Sequence, residues 1–401
     1  MSQKKPRTLN ITSIMEEKSE TRNYMKHVEL LGIHFENELV QTPIKNHEKE
    51  GNHEDNIGLG LLYDRFEKSA TGCGSDTRSD PVVDIRCLKR KQQTEVHPSP
   101  MERFRRRHLS VTLLCEQSWC EMKVSFGLLR PLVKLKEMKK PEVKAGTTIH
   151  LRRQLEVHNI VPIQAQSRED SEAIKLLNVM HMVSLLQEGQ CVREFPVYGV
   201  LEGVFLMGVI DELSYNKEGE LVLSELKTRK DMSLPGEAQA KGHHLQVGLY
   251  KLLFHGMVNG TVKRSDIIRH LKLEPKQVLG TGVLNYAGSM GMEEGIFGGL
   301  VDMVLKTLTL AKVGDIQRLR LEYIHQESGM TIDTKDVECD EAVLRGELRD
   351  YLDYWTGQRE PRGVDIEEAW KCKLCPFEKS CHWGKDEAEA SLSVDPGKKP
   401  K

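Results

Sequence analysis

The fold is decided by residues 203–230, which read GVFLMGVIDELSYNKEGELVLSELKTRK. Two apolar runs flank the polar residues 216–219, and this pattern predicts two strands joined by a tight turn. The alternation of the second run places Glu225 and Lys227 on the same face of its strand. Both faces are apolar before this pair, as in a buried central strand, where a charge is costly without a partner. The hairpin therefore predicts a sheet with an acid and a lysine near its centre.

The segments around the hairpin extend the sheet into an α/β fold. The segment DSEAIKLLNVMHMVSLLQEG predicts a helix that is capped at its start by Asp170 and ends at Gly189. Another strand is predicted from CVREFPVYG, and a second helix from EAQAKGHHLQVGLYKLLFHGMV. Upstream, His150 stands at the start of a further helical stretch, IHLRRQLEVH. Because strands and helices alternate, the economical fold is a sheet with helices packed on it.

A second acid, Asp211, ends the apolar run of the first strand of the hairpin. It is expected near Glu225 across the sheet, where two carboxylates would repel each other. A divalent cation removes that repulsion, and hard oxygen ligands suit Mg²⁺ or Mn²⁺. Such an ion polarises a phosphodiester and lowers the pKa of an attacking water, while Lys227 stabilises negative charge or orients the water. The alternative is a solvated hairpin with a surface ion pair, a pattern that occurs by chance in many proteins of this length.

Four more residues are candidates for the same site. Gln246 and Tyr250 are spaced i, i+4 on the helix after the hairpin, so they share a face and can point toward the acids. His150 and Glu194 lie upstream, on a helical stretch and on the strand before Asp211. A lone histidine is more often a capping or surface residue, and Glu194 has the same structural alternative.

Composition and charge limit the function classes. The 58 Lys and Arg nearly balance 60 Asp and Glu, so affinity for a polyanion must come from local patches. Two basic runs, Arg103–His108 and Lys134–Lys140, are candidates for binding a phosphate backbone, although such runs are usually solvated faces. No run of eighteen apolar residues and no secretory signal is present, which predicts a soluble intracellular protein with no membrane partner.

The chain divides into three parts by composition. Residues 1–97 are polar and poor in aromatic residues, which predicts a disordered leader. Residues 98–384 are expected to form the folded domain, and residues 385–401 a polar tail.

Three cysteines, Cys372, Cys375 and Cys381, are grouped near the end of the predicted domain. Nine cysteines in all, unevenly spaced, argue against a disulfide framework and leave metal binding or buried thiols. Four thiolates hold either zinc or an iron–sulfur cluster, so a fourth ligand is needed from elsewhere. The cysteines upstream of His150 are Cys73, Cys87, Cys115 and Cys120.

Taken in order, these motifs resemble the RecB-type nucleases of the PD-(D/E)XK superfamily. The resemblance is carried by GTTIH, the glutamate of REFPV, GVIDEL, ELKT and the QVGLY segment. It implies a restriction-endonuclease-like mixed sheet flanked by helices, in which Asp211 and Glu225 bind the catalytic metal and Lys227 is the motif lysine. Gln246 and Tyr250 match the trailing helix motif, and His150 and Glu194 match accessory positions.

The iron–sulfur members of this family use one cysteine before the nuclease core and three after it. Cys120, in EQSWCEM, matches the leading position, so the resemblance implies that a 4Fe–4S cluster held by this cysteine and the trailing group closes the core. The remaining cysteines, Cys73, Cys87, Cys115, Cys191 and Cys339, are expected to be ordinary thiols. A zinc-stapled nuclease stays open as an alternative.

A closer resemblance within the family covers about residues 98–384, through MERF, the WCE segment, EYIHQE, REP with GVDIEEAWKC, and the cysteine group. It implies a Mg²⁺-dependent, single-strand-specific DNA exonuclease that acts in DNA repair and genome maintenance. We expect a nuclear monomer, with the cytosol as another location, mitochondria less favoured, and a single-strand-binding protein as a candidate partner. A non-catalytic DNA-binding adaptor on the same fold is the alternative from a different functional class.

Overall fold

The fold centres on a mixed sheet, seen in a computed structural model that describes residues 98–158, 163–381 and 383. The predicted leader 1–97 and tail 385–401 lie outside the described residues. The strands are β1 (Leu109–Ser110), β2 (Val192–Leu201), β3 (Val204–Tyr215), β4 (Leu221–Arg229), β5 (Ile316–His325) and β6 (Thr331–Val337). Within the described part, their order in the sheet is β1-β3-β4-β5-β6, with β2 also paired to β3.

The predicted hairpin is confirmed as β3 and β4, which pair antiparallel. Asn216 shapes its turn because its side-chain oxygen accepts the backbone N–H groups of Glu218 and Glu220. Gly219 takes a φ of +79°, which a residue without Cβ adopts at little cost. β4 is a central strand, as predicted, since it also pairs in parallel with β5.

β3 is shared among three neighbouring strands, and this sharing opens a fork in the sheet. On one edge β3 pairs with β2 from Val204 to Leu213, and on the other edge it pairs with β1 at Leu206 and Met207. β4 joins β3 only from Glu212 onward, opposite Ser224. Between these two ladders, one edge of β3 has no strand partner among the described residues, and Asp211 lies at the end of this opening.

Helices cover both faces of the sheet. Lys227 contacts a helix on one face, whereas Ser224, on the other face by alternation, lines a cavity with residues of a second helix. No helix in the described part of the chain combines the length and apolarity needed to cross a bilayer. The α-helices are α1 (Pro100–Arg103), α2 (Val111–Gln117), α3 (Glu121–Leu129), α4 (Pro131–Met138), α5 (Pro141–Val157), α6 (Arg168–Gln187), α7 (Glu237–Val258), α8 (Arg264–Leu271), α9 (Thr281–Ser289), α10 (Phe297–Leu310) and α11 (Glu341–Trp355). Short 3₁₀ helices follow at Ile366–Leu374 and Glu378–Ser380.

Two predicted helix starts were wrong. α5 begins at Pro141, so His150 lies in its interior rather than at its start. The first half of α5 was not predicted because the helix has little apolar periodicity. Only Gly146 and Gln154 of α5 are buried. α6 begins at Arg168, and Ser167 rather than Asp170 caps it.

Asp170 has a tertiary role instead. Its carboxylate accepts the backbone N–H groups of Gln166 and Gly280, at 2.8 Å each, and it is 1% exposed. It therefore ties the start of α6 to the segment that leads into α9. A charged group buried in this way is stabilised by the hydrogen bonds that it accepts.

Candidate active site

The fork between β3 and β4 brings the two predicted acids together. The backbone N–H of Leu226 donates to Asp211 Oδ2 at 2.7 Å, so this carboxylate takes the place of a strand partner where the ladder ends. Continuing the register from the Glu212–Ser224 pair places Asp211 opposite Glu225. Glu225 is 2% exposed. The sequence prediction that these carboxylates converge agrees with this geometry.

Lys227, Gln246 and Tyr250 form a hydrogen-bonded line that ends at Glu225. Lys227 Nζ donates to Glu225 Oε1 at 2.8 Å and to Gln246 Oε1 at 2.6 Å. Gln246 Nε2 in turn donates to the Tyr250 hydroxyl at 3.0 Å. The Tyr250 ring packs directly on Gly208, where an added Cβ would overlap it. Helix α7 therefore packs on the face of the sheet that carries Glu225 and Lys227, and its Gln246 orients the lysine.

His150 and Glu194 complete the cluster from α5 and β2. His150 Nδ1 lies 3.4 Å from Asp211 Oδ1 and 3.9 Å from Glu194 Oε1. Ligand atoms of these three residues all lie within 4.8 Å of one another, a spacing that a single metal ion can bridge. The structure thus brings together all seven residues that the sequence proposed for this site.

Glu194 reaches the cluster through an unusual backbone conformation. Its φ is +58°, although it lies inside β2. The β2–β3 ladder pairs Arg193 with Glu212 and Phe195 with Ile210, and skips Glu194, which the register places opposite Asp211. A left-handed conformation is unfavourable for a residue with a Cβ, and such strain is concentrated at functional sites.

Burial and mutual repulsion perturb the titration of the whole cluster. Burial and the charge of Asp211 raise the pKa of Glu194 to about 8 and the pKa of Glu225 to about 7. Burial acts in the same direction on Asp211, but His150 and Lys227 hold its pKa below the usual value. Burial disfavours charge on His150, yet Asp211 and Glu194 raise the pKa of this histidine to about 9. Too many carboxylates therefore share one buried place for all of them to be ionised without a further cation.

The donor set fits a divalent metal ion. Glu225 Oε2 is buried and has no hydrogen-bond partner among the described residues, whereas its other oxygen is held by Lys227. A buried carboxylate oxygen without a partner costs free energy unless a cation takes it up. Carboxylate oxygens are the ligands that Mg²⁺ and Mn²⁺ prefer.

The four cysteines of the predicted cluster line one cavity of about 230 Å³. Cys120 is the N-cap residue of α3, and Cys372, Cys375 and Cys381 follow from the C-terminal 3₁₀ region. Burial raises the pKa of the Cys120 thiol to about 11, and the charges of Cys375 and Cys381 add to this effect. Cys115 is not among the residues that line this cavity, and Cys73 and Cys87 lie outside the described residues, so Cys120 as the fourth ligand stays a prediction.

Several residues near the site were missed by the sequence interpretation. Arg193 and Arg153 line the cavity behind His150, Glu194 and Asp211. The hydroxyl of Tyr323, from the EYIHQE segment, lies 3.1 Å from His243 Nδ1, and Tyr323 is opposite Lys227 in the β4–β5 register. Arg193 adjoins a predicted site residue, but nothing in the sequence says which side chain it contacts.

Fold and side chains together define an α/β protein with a candidate metal-assisted hydrolase site at a fork in its sheet. A family model described as "Exonuclease V - a 5' deoxyribonuclease" matches residues 99–222, 216–302 and 304–384. A protein from Danio rerio named "Exonuclease V" is 50% identical over 363 residues, which cover 89% of this chain and 91% of that protein. The chain belongs to the exonuclease V family.

A solved structure described as "Crystal structure of SSO0001" is also similar, at 15% identity and a TM-score of 0.35. The match covers 69% of this chain and 85% of that one. A likeness at this level carries no argument about the site.

Proposed function

We propose that this member of the exonuclease V family is a Mg²⁺-dependent, single-strand-specific DNA exonuclease of the PD-(D/E)XK type. Family membership makes the chain a nuclease that acts on DNA. The observation that carries the metal-dependent chemistry is the unpartnered Glu225 Oε2, whose titration is perturbed by burial and by the charges of Asp211 and His150. Asp211 and His150, with Glu194, form the group whose ligand atoms lie within 4.8 Å of one another. The finer assignments of metal, strand preference and superfamily rest on this cluster and on the order of the sequence motifs.

Each residue of the cluster has a separate role in this proposal. Asp211 and Glu225 would hold the metal, with Glu194 and His150 beside them. A bound divalent cation supplies charge neutralisation on the phosphodiester and a lower pKa for an attacking water. Lys227 stays cationic, because Glu225 and Asp211 outweigh burial and raise its pKa. Its ammonium group stabilises negative charge that develops on the phosphate oxygens.

Gln246 and Tyr250 hold the lysine in place. Gln246 accepts a hydrogen bond from Lys227, and its amide is fixed by the buried Tyr250 hydroxyl. Burial raises the Tyr250 pKa well above its usual value, so the hydroxyl stays protonated. The pair therefore orients the lysine without competing for its proton.

The test is degradation of end-labelled single-stranded and double-stranded DNA with Mg²⁺. Asp211→Asn, which keeps the side-chain shape, is expected to abolish cleavage and leave melting near wild type. Asp336→Asn is the matched control, because this exposed aspartate of β6 pairs with Arg320 of β5 and lies away from the cluster. Wild-type protein that binds single strands and never cuts them with Mg²⁺ or Mn²⁺ would refute the enzyme and support a DNA-binding adaptor.

We also propose that Cys120, Cys372, Cys375 and Cys381 hold a 4Fe–4S cluster. The spacing of the sulfur atoms supports this choice over zinc. Tetrahedral zinc with Zn–S bonds of about 2.3 Å needs sulfur atoms about 3.8 Å apart. Within the described residues, no three of these sulfur atoms lie within 4.8 Å of one another, so the cavity suits a larger group.

A buried cation beside the thiols supports metal binding here, whether by zinc or by an iron–sulfur cluster. Lys371 is 2% exposed, lines the same cavity, and lies 4.7 Å from the centre of the Trp119 ring. Its Nζ is also 2.6 Å from Glu368 Oε2. A buried ammonium group favours thiolate ligands, which carry negative charge at a metal centre.

Protein purified without oxygen tests this assignment. Iron and acid-labile sulfide are expected in equal amounts, with visible absorption that Cys372→Ser removes and Cys191→Ser keeps. Stoichiometric zinc with no iron would favour the zinc-stapled alternative.

We propose that exposed basic residues contribute to the binding of single-stranded DNA. Arg103, Arg105 and Arg107 are exposed, whereas Lys134 and Lys140 already pair with Glu116 and Glu137. The first basic run is therefore the better candidate for DNA contact. Charge-reversal in this run should weaken single-strand binding and reduce its salt dependence.

As a DNA exonuclease, the protein is proposed to act as a monomer in nuclear DNA repair, aided by a single-strand-binding protein. A fluorescent fusion tests the location, and sizing of the purified chain tests the monomer. Cleavage of single strands coated with such a binding protein tests the partner.

A further inference from the structure

Arg193 is the residue beside the strained glutamate, and it is anchored through both its main chain and its side chain. Its backbone N–H donates to His158 Nε2 at 2.9 Å. Its guanidinium donates to Glu212 Oε2 at 2.8 Å and to Glu156 Oε2 at 2.7 Å, and also contacts the carbonyl oxygen of Arg153. The side chain is only 12% exposed.

These contacts join the elements that carry His150, Glu194 and Asp211. Arg153 and Glu156 lie in the last turns of α5, the helix that also carries His150. Glu212 directly follows Asp211 on β3. Because a guanidinium is a planar fork with five donors, one arginine can fix the helix end and the strand together. A cation also interacts favourably with the C-terminal end of a helix.

A second arginine supports the same arrangement. Arg153 Nη2 lies 2.7 Å from Glu322 Oε2 on β5 and 3.8 Å from Glu212 Oε2. Glu212 therefore lies between both arginines, and the charges of the group alternate in sign. Such a network has a defined geometry because each member is held by more than one partner.

We propose that Arg193 is a positioning residue that holds Glu194 in its left-handed conformation, and with it the carboxylate at the metal site. A residue with a φ of +58° inside a strand persists only when its surroundings prevent relaxation to the extended form. Relaxation to the extended form would change the direction of the Glu194 side chain, and with it the distances of its carboxylate from His150 and Asp211. The inference rests on the proposed function, since it assumes that Glu194 contributes to metal binding.

The experiment compares Arg193→Gln, Glu194→Gln and the control Arg320→Gln in the full chain. Arg320 also lies on a strand and pairs with an aspartate, but on the β5–β6 side of the sheet. Calorimetry measures Mn²⁺ affinity directly, and the nuclease assay measures the Mg²⁺ concentration for half-maximal rate and the KM for DNA. Arg193→Gln should weaken metal binding about 10- to 100-fold, as loss of an outer-shell partner does. The KM for DNA at saturating metal should stay near wild type.

Failure of the proposal is distinguishable from failure of the proposed function. If Glu194→Gln weakens Mn²⁺ binding and Arg193→Gln matches Arg320→Gln, the positioning role is wrong. If wild-type protein binds no Mn²⁺, the proposed function itself fails. Should Arg193→Gln not fold, Glu212→Gln removes the negative charge that pairs with Arg193 while keeping the arginine, and unchanged Mn²⁺ affinity in that variant would overturn the proposal.

Discussion

Gly208→Ala tests whether the packing of Tyr250 controls the candidate site from a distance. An added Cβ at Gly208 would lie 3.0 Å from Tyr250 Cδ1, still closer to Cε1, and 3.3 Å from Val111 Cγ2. Ordinary carbon–carbon contacts are about 3.5–4.0 Å, so the ring must move by on the order of 1 Å. Tyr250 is 3% exposed and cannot move into solvent.

The expected cost has two components. Overpacking of a buried site destabilises a protein by about 1–3 kcal/mol. For a domain of this size this lowers the melting temperature by roughly 2–12 °C. Displacement of Tyr250 also shifts Gln246 and Lys227 through their hydrogen bonds, and a misplacement of about 1 Å can cost about 100-fold in rate.

The assay measures the single-strand cleavage rate at a temperature well below the melting transition, alongside the melting curve. Gly346→Ala on α11 is the matched control, because an added Cβ there meets nothing within 4 Å. That control should melt at or slightly above wild type, since alanine favours a helix. A Gly208→Ala protein with wild-type rate despite a lower melting temperature would show that the Tyr250–Gln246–Lys227 line does not control catalysis.

Three further predictions address charge, the cysteines and pH. Lys227→Met should lower the cleavage rate by about 100-fold or more, because the site loses a charged donor, and should leave Glu225 without its partner. Breaking a buried pair in this way costs about 3–5 kcal/mol, which denaturant unfolding measures; unchanged stability would contradict the pairing. Cys120→Ser should remove the metal centre that joins α3 to the C-terminal segment, seen as loss of bound metal and a lower melting temperature than Cys191→Ser. Burial and the nearby Lys227 lower the pKa of His243 to about 3, so this side chain is neutral when folded and binds a proton below about pH 6.5 when unfolded. The contribution of His243 to stability should therefore fall as pH drops below 6.5, by about 2 kcal/mol at pH 5. Glu194 and Glu225, whose pKa values are raised, act in the opposite direction, so the measured quantity is the difference in unfolding free energy between wild type and His243→Gln across this pH range.

The central hairpin was predictable because its signals are local. Alternating apolar residues and the Asn216–Gly219 turn define β3 and β4 without reference to the rest of the chain. Asp211 and Glu225 follow from them, since an antiparallel register with a known turn fixes which residues face each other. The other candidate residues depend on helical spacing, for Gln246 and Tyr250, and on the order of the motifs, for His150 and Glu194.

The first half of α5 and the cap of α6 were not predictable in the same way. α5 is held by side-chain contacts such as Arg153 with Glu322, which join residues 169 positions apart. Asp170 looks like a helix cap by type, but its carboxylate is used by Gly280, 110 positions away. A local sequence pattern cannot reveal a partner at such a distance. It cannot reveal the left-handed φ of Glu194 either.

Asp211 shows why structural and chemical roles coincide at the fork. Where β4 leaves β3, a backbone N–H would lack its acceptor, and the Asp211 carboxylate accepts from Leu226 instead. One oxygen is thereby fixed toward the sheet, which directs the other toward His150. The same hydrogen bond that closes the ladder therefore orients the group proposed to bind metal. Asparagine at this position keeps an acceptor for Leu226 and removes only the charge, whereas alanine would remove both, so only the first substitution separates the chemistry from the fold.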